Sequence, residues 1–304
     1  MLIRPFRFNL LFSHGLSFAL ATTLIYSFQP TLLKATLSAG ASVMDLFTWR
    51  ILIGMLLFWL SSRRSIRTSE ALPPKALLAC LSISLLFIIA MTAFTLSLTH
   101  IDVAIASLIF ALFPLATILI LALLGEALTA RKLLRLVVGF IGIYYIIGQG
   151  SNIHLLGVVL AVVSCLAYAV QLIITQRSLS RYKAETVMLY FMPMIAIILA
   201  IYGIVTGNLR ADFGLLAWLL IILQGVMTSF FAQILSFNAV KTIGSGQMAL
   251  LYPLELLLSI AWSSFFLAER ISSSQFLGGG LILLSLLLAL NLPKTLRRRK
   301  LGYL

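Results

Sequence analysis

The sequence predicts an all-α membrane protein: ten transmembrane helices arranged as two inverted five-helix repeats, with both termini cytoplasmic. Three observations carry this expectation. Ten apolar stretches fill almost the whole chain, the charges between them are unevenly shared between the two sides, and the second half echoes the first.

The stretches run at about 12–32, 43–61, 76–98, 102–124, 133–149, 154–175, 187–206, 214–238, 244–267 and 274–292. Crossing the hydrocarbon core takes about 20 mostly apolar residues. No water is available there, so each backbone amide must be bonded within its own segment, which makes each stretch a helix. The chain is 62% hydrophobic and only 10% charged over 304 residues, with a mean hydropathy of +1.12, which excludes a soluble domain. The first stretch follows Arg4 and Arg7 but is too long for a signal-peptide core and meets polar Gln29, so it is read as the first helix.

The charge bias sets orientation. With a cytoplasmic amino terminus, all of the 22 Lys and Arg except Lys34, Arg50, Arg210 and Arg270 fall on the cytoplasmic side. That is the positive-inside pattern of a multi-pass membrane protein. The net charge of +14 then needs no nucleic-acid partner, although the Arg297–Lys300 run suits anionic lipid. Cys80 and Cys165 lie inside apolar stretches without CxxC spacing and are read as packing residues. His14, His100 and His154 stand alone at stretch ends, and neither HExxH nor a phosphate loop occurs. No cofactor, metal site or catalytic residue is therefore expected.

The echo sets the domains, residues 1–149 and 150–304. At an offset of 142, Thr22, Leu24, Tyr26 and Gln29 meet Ser164, Leu166, Tyr168 and Gln171. At an offset of 143, Ala106, Leu108 and Glu126 meet Ala249, Leu251 and Glu269. Five helices per copy is an odd number, so the second copy must lie upside down in the membrane. Inverted repeats are a recurring plan of secondary transporters, with substrate held between the halves near the midplane.

The stretches "FTWRILIG" (47–54), "DVAIASLIFALFPLATILILALLGEALT" (102–129) and "GSGQMALLYPLELLLSIAWSSFFLAERIS" (244–273) resemble the ten-helix EamA-type branch of the drug/metabolite transporter superfamily. The resemblance implies two inverted five-helix repeats in a bacterial-type inner membrane, exporting or exchanging small metabolites. The second copy departs from the pattern. Pro114 precedes Glu126 by 12 residues but Pro253 precedes Glu269 by 16, and Glu255 stands near the place where the family often has proline.

Glu255 is the deepest acid, about eleven residues from either end of the ninth stretch. An intramembrane carboxylate is expensive and marks a functional site by default. It can carry a proton or face a cationic substrate group; the plainer alternative is a neutral acid bonded to a neighbouring helix. Met248, Tyr252, Glu255, Ser259 and Trp262 share one helical face, as a pocket wall or as interhelical glue. Thr22, Tyr26 and Gln29 form a stripe on the first helix, and Ser164, Tyr168 and Gln171 a matching one on the sixth, with Thr175 beyond. Arg50 either grips a substrate carboxylate, pairs with Glu255, or snorkels to the surface beside Trp49.

Gln224, Thr228 and Asn238 with Phe231, and Thr92, Thr95 and Thr99, are weaker candidates, since threonine often bonds its own backbone. Pro114, Pro193 and Pro253 interrupt stretches four, seven and nine. Glu126 and Glu269 close stretches four and nine as caps. Gly139, Gly142 and Gly278–Gly280 suit close packing between repeats or in a dimer, leaving monomer and homodimer both open. The pattern points to carriage of a small organic metabolite, amino-acid-like, nucleoside-like or cationic such as S-adenosylmethionine. The alternative is a membrane enzyme or scaffold without transport.

Overall fold

The computed structural model describes residues 6–61, 71–125, 130–148, 154–179, 181–182, 184–207, 209–243, 251–269 and 272–287. Among them all regular structure is helical. The elements are α1 (Phe6–Ser38), α2 (Val43–Ser61), α3 (Pro74–Ser97), α4 (Val103–Phe110), α5 (Phe113–Leu123), α6 (Ala130–Gly148) and α7 (Leu155–Ile174), which runs on as a π-helical segment, π1 (Thr175–Leu179). Then come α8 (Ala184–Val205), α9 (Leu215–Gln224), a second π segment, π2 (Gly225–Phe231), α10 (Ala232–Ile243), α11 (Tyr252–Leu267) and α12 (Ser273–Leu287). Seven helices among the described residues are long and apolar enough to cross a membrane, and Leu254–Leu267 and Phe276–Ser285 are shorter apolar helices. Leu123, Leu155, Ile204, Phe265 and Phe276 are each more than 70% exposed, so the outside of the bundle is apolar. This is a multi-pass membrane protein.

Three stretches differ from the sequence expectation. The first does not stop near Leu32 but continues through Pro30 to Ser38. Its last turns are held by side chains: Thr36 Oγ1 donates to the Leu32 carbonyl at 2.7 Å, and Gln224 Nε2 donates to Thr36 Oγ1 at 2.7 Å. The fourth is two helices, because Ala111 and Leu112 form a turn and Pro114 occupies the first turn of α5, where its missing N–H costs nothing. Pro253 likewise opens α11, so the two prolines hold the same helical position. The longer proline-to-glutamate spacing of the second copy is accompanied by a longer helix, 16 residues in α11 against 11 in α5. Pro193, by contrast, lies inside unbroken α8.

Side-chain contacts give the chain direction. At one end, Lys34 of α1 meets Glu269 beyond α11, Asp45 of α2 accepts from the Arg210 amide at 2.7 Å, and the His100 and His154 rings stack at 4.8 Å. At the opposite end, Leu72 and Ala76 pack with Leu179, and Phe58 packs with Met188 and Met192. Successive segments thus alternate in direction, and α7 runs opposite to α1. Packing follows a reciprocal pattern: α3 lies on α7 and α1 on α10; α2 lies on π2 and α3 on α8; α1 lies on α11 and α7 on α4 and α5.

Glycine sets two close crossings. A Cβ on Gly142 of α6 would meet the Gly278 carbonyl and Ile282 Cγ1 of α12, each at 2.8 Å. A Cβ on Gly225 would meet Ile53 Cγ2 at 2.8 Å and the Arg50 carbonyl at 3.2 Å, so π2 and α2 touch through their backbones. The Gly142 and Gly278 pairing joins the two halves within one chain.

Candidate functional site

The middle of the bundle gathers polar groups from α1, α2, α7 and α11. Glu255 lies in the first turn of α11, its amide donating to the Leu251 carbonyl at 3.0 Å, and its carboxylate has no hydrogen-bond partner among the described residues. The turn at Leu251 and Pro253 puts the acid at a helix N-terminus, the positive end of the dipole. Tyr26, Tyr168 and Tyr252 lie within electrostatic reach of Glu255, and Tyr26 also within reach of Arg50. Three of the predicted tyrosines therefore lie near the predicted acid.

Aromatic rings build one side of this group. The Phe113 ring stands edge-on to Tyr168 and to Tyr252, each at 5.0 Å, and Phe110 lies 5.2 Å from Tyr168. Such perpendicular contacts contribute about 1 kcal/mol beyond burial, so these rings are held in place. Phe110 and Phe113, three residues apart, face the same side across the turn at Ala111 and Leu112. Tyr26 is oriented from elsewhere, its hydroxyl donating to Gln233 Oε1 of α10 at 2.7 Å.

Arg50 is 2% exposed, which excludes snorkelling. Its guanidinium carbon lies 4.5 Å from the Phe47 ring centre. Nε and Nη1 are buried with no hydrogen-bond partner. The ion pairs among the described residues both belong to Lys34, so Arg50 and Glu255 do not pair. Ser164 Oγ and Gln171 Oε1 on α7 are also buried and unpartnered. Each π segment contains a threonine bonded back to the preceding helix: Thr175 Oγ1 donates to the Gln171 carbonyl and Thr228 Oγ1 to the Gln224 carbonyl, each at 2.8 Å.

A family model of the EamA-like transporter family matches the chain twice, over residues 13–148 and 155–291. The chain belongs to the EamA-like transporter family. An "Uncharacterized transporter" of Archaeoglobus fulgidus is 24% identical over 188 residues, which is 62% of this chain and 67% of that protein. A crystal structure of a protein 17% identical to this chain covers 91% of it and 96% of its own length at a TM-score of 0.65, and shares the fold. The protein is a membrane transporter by family, and the mid-bundle group is the natural place to look for its substrate.

The structure separates the remaining predicted residues. Ser259 and Trp262 continue the Glu255 face but are engaged by neighbours: Ser259 Oγ is 3.4 Å from Ser107 Oγ of α4, and Trp262 Nε1 donates to Ser27 Oγ of α1 at 3.0 Å. The Trp262 ring also stacks on Phe28 at 4.2 Å. Gln224 is fully buried and clamps α1 through Thr36, with its Oε1 left unpartnered. Gln29 is half-buried with no partner among the described residues. Thr22, Thr95 and Thr99 bond their own backbones, as does Asn238, whereas Thr92 Oγ1 is buried and unpartnered. Met248, Glu126 and the 297–300 run lie outside the described residues.

Glu269 fulfils its predicted capping role at a helix distant in sequence. Its oxygens accept from the Val103 amide at 3.0 Å and the Ala104 amide at 3.4 Å, and Lys34 Nζ is 2.7 Å away. Phe110, Phe113, Gln233 and Asp45 were missed by pattern reading. The phenylalanines lie in an apolar run whose pattern does not show which face meets Tyr168 and Tyr252. Gln233 carried a usable signal as an amide within an apolar stretch, beside Gln224 and Asn238.

Proposed function

We propose that the protein is a secondary transporter moving a small organic metabolite across the inner membrane by alternating access, as export or exchange. The metabolite is amino-acid-like or nucleoside-like, and a cationic example such as S-adenosylmethionine fits the same description. Residues 1–149 and 150–304 act as two inverted repeats, and the substrate sits between them against Glu255, Tyr252, Tyr26, Tyr168 and Arg50.

The observation that carries this reading is the reciprocal packing. Exchanging the two halves turns the α3 and α7 contact into that of α10 and α1, and the α2 and π2 contact into that of α8 and α3. Halves that can trade places support two states of nearly equal energy, one open to each side. Glu255, Tyr168 and Tyr252 come from the second matched segment, and Tyr26 and Arg50 from the first. A ligand touching all five therefore feels the motion of one half against the other. Pro114 opens α5 just after the turn that ends α4, and Pro253 opens α11, in keeping with the broken helices that carry substrate sites in many transporters.

Counterflow in proteoliposomes tests the proposal. Vesicles preloaded with unlabelled substrate should take up labelled substrate transiently above equilibrium and with saturation. Linear flux without counterflow would mean a channel, and no flux with any bound metabolite would end the carrier reading.

A further inference from the structure

Among the described spans, Leu215–Ser236 alone carries a π segment with α-helix on both sides. The Ala232 amide donates to the Met227 carbonyl, five residues back, where an α-helix would reach four. The packing plan does not ask for this wider turn. In the first half α3 takes the matching place, and it is α-helical from Pro74 to Ser97. What π2 changes is phase. Gln224 and Gln233 stand nine residues apart, which in α-helix is about two and a half turns and puts them on opposite faces. The extra residue of the π turn takes back about 100°, so both amides meet α1. Gln224 Nε2 donates to Thr36 Oγ1 at 2.7 Å, and Gln233 Oε1 accepts from the Tyr26 hydroxyl at 2.7 Å.

The two clamps are unequal. Gln224 is fully buried and also reaches the Leu32 carbonyl at 3.4 Å, whereas Gln233 is half-buried and meets α1 at Tyr26. Between them π2 crosses α2 on glycine. A Cβ on Gly54 would meet Ser229 Cβ at 2.5 Å, and one on Gly225 would meet Ile53 Cγ2 at 2.8 Å. A glycine in each contact leaves one surface smooth, so π2 can turn against α2 without interlocked side chains having to part.

We propose that π2 is the joint at which the carrier changes state. The π turn closes to α-helix, α10 rotates by about 100° and shifts by about 1.5 Å relative to α9, and Gln233 leaves the Tyr26 hydroxyl. Gln224 keeps α9 on α1 throughout. This rests on the carrier reading, in which substrate touches Tyr26, and it gives that contact a consequence. A ligand that takes the Tyr26 hydroxyl removes what holds the π turn open, so it favours one state over the other, as any ligand-driven change requires.

Thiol labelling of the detergent-purified, full-length protein with N-ethylmaleimide tests this without a ligand. Ala239 of α10 and Ala217 of α9 are both fully buried, and the native Cys80 and Cys165, also buried, set the background. Ala239→Cys therefore reports on α10 and Ala217→Cys on α9. Gln233→Leu removes the bond that holds the π turn open. It should quicken labelling of Ala239→Cys about fivefold, the usual weight of one hydrogen bond, and leave Ala217→Cys within about twofold. Deleting Val226 takes one residue out of π2 and closes the turn for good, so labelling of Ala239→Cys should quicken by about tenfold or more, with Ala217→Cys again unchanged. If the deletion does not fold, Gln233→Leu decides. The inference is overturned if Gln233→Leu leaves Ala239→Cys unchanged, or if Ala217→Cys quickens alongside it in either variant. Counterflow of labelled L-amino acids, uridine and S-adenosylmethionine separates the two readings. Full counterflow in a folded deletion variant would keep the carrier and remove the joint. Labelling as expected in a protein that shows no counterflow would do the reverse.

Discussion

At the end of the bundle where α1 stops, charges are arranged in pairs, whereas a few turns inward they stand apart. Lys34, Glu269 and Asp102 form one cluster, Glu269 also caps α4 through two amides, and Asp45 is bonded to Arg210 and Ser42. Arg50 lies only five residues beyond Asp45 on the same helix, yet two of its nitrogens have no partner. The contrast separates polar groups that fasten helix ends from polar groups that the fold holds ready for something else. A group already saturated by protein has little left for a ligand. A buried unsaturated one destabilises the protein until a ligand arrives, and is retained for what it binds.

The sharpest way to break this contrast is Arg50→Met. Losing a charge-assisted bond to substrate removes about 3 kcal/mol, a roughly hundredfold fall in transport. The same change removes an unpaired buried charge, so thermal stability should rise, by about 1–4 kcal/mol if the apolar side chain packs well. Proteoliposome uptake and thermal unfolding measured on one preparation check both halves. A variant that is less stable would place Arg50 with the fastening groups.

The opposite behaviour is expected at the bundle end. Glu269→Ala strips Lys34 of its shortest ion pair and two amides of α4 of their acceptor, a loss of about 2–3 kcal/mol. Glu269→Gln keeps an acceptor for one amide and should recover about half of that loss. Both variants should leave the affinity for ligand unchanged, as read by the midpoint of ligand-induced stabilisation. A shift in that midpoint would tie this cluster to the mid-bundle group.

Packing between the halves gives the next effect. Gly142→Ala drives a methyl group against the Gly278 carbonyl and Ile282, at a cost of about 2 kcal/mol. The contact lies within one chain, so the particle mass in native mass spectrometry should not change. A change in mass would assign these glycines to a contact between copies.

The sequence made the helices legible because lipid leaves the backbone no alternative, and the acid legible because a carboxylate there is rare. It made Tyr26 and Tyr168 legible through a repeat spacing that survives in both halves, and Tyr252 through its helical spacing from Glu255. It could not show that α4 and α5 part at Ala111, since leucine and alanine suit either a continuous helix or a turn, and Phe110 and Phe113 stayed hidden because an apolar run does not mark which face meets Tyr168 and Tyr252. Nor could it tell a wall from glue along the Glu255 face. Helical spacing reports direction from the axis, not which neighbour is waiting there, and Ser259 and Trp262 meet Ser107 and Ser27 because α4 and α1 cross at those heights. Arg50 illustrates the same limit from the other side, since its three sequence-level roles differed only in burial and partners.

Trp262→Phe is the smallest change and the most discriminating along that face. Phenylalanine retains the stack on Phe28, 4.2 Å away in the native protein, and gives up only the indole N–H bond to Ser27. Stability should fall by about 1 kcal/mol, part of it from leaving the Ser27 hydroxyl without its donor. Transport should stay within about twofold of the unaltered protein, because a bond between α1 and α11 that tolerates such a loss does not touch the ligand. Adding Ser27→Ala should then cost little more, since both partners of one hydrogen bond are gone together. If Trp262→Phe instead lowers ligand affinity while stability holds, the indole faces the substrate, and the boundary between fastening and binding residues moves two turns along α11.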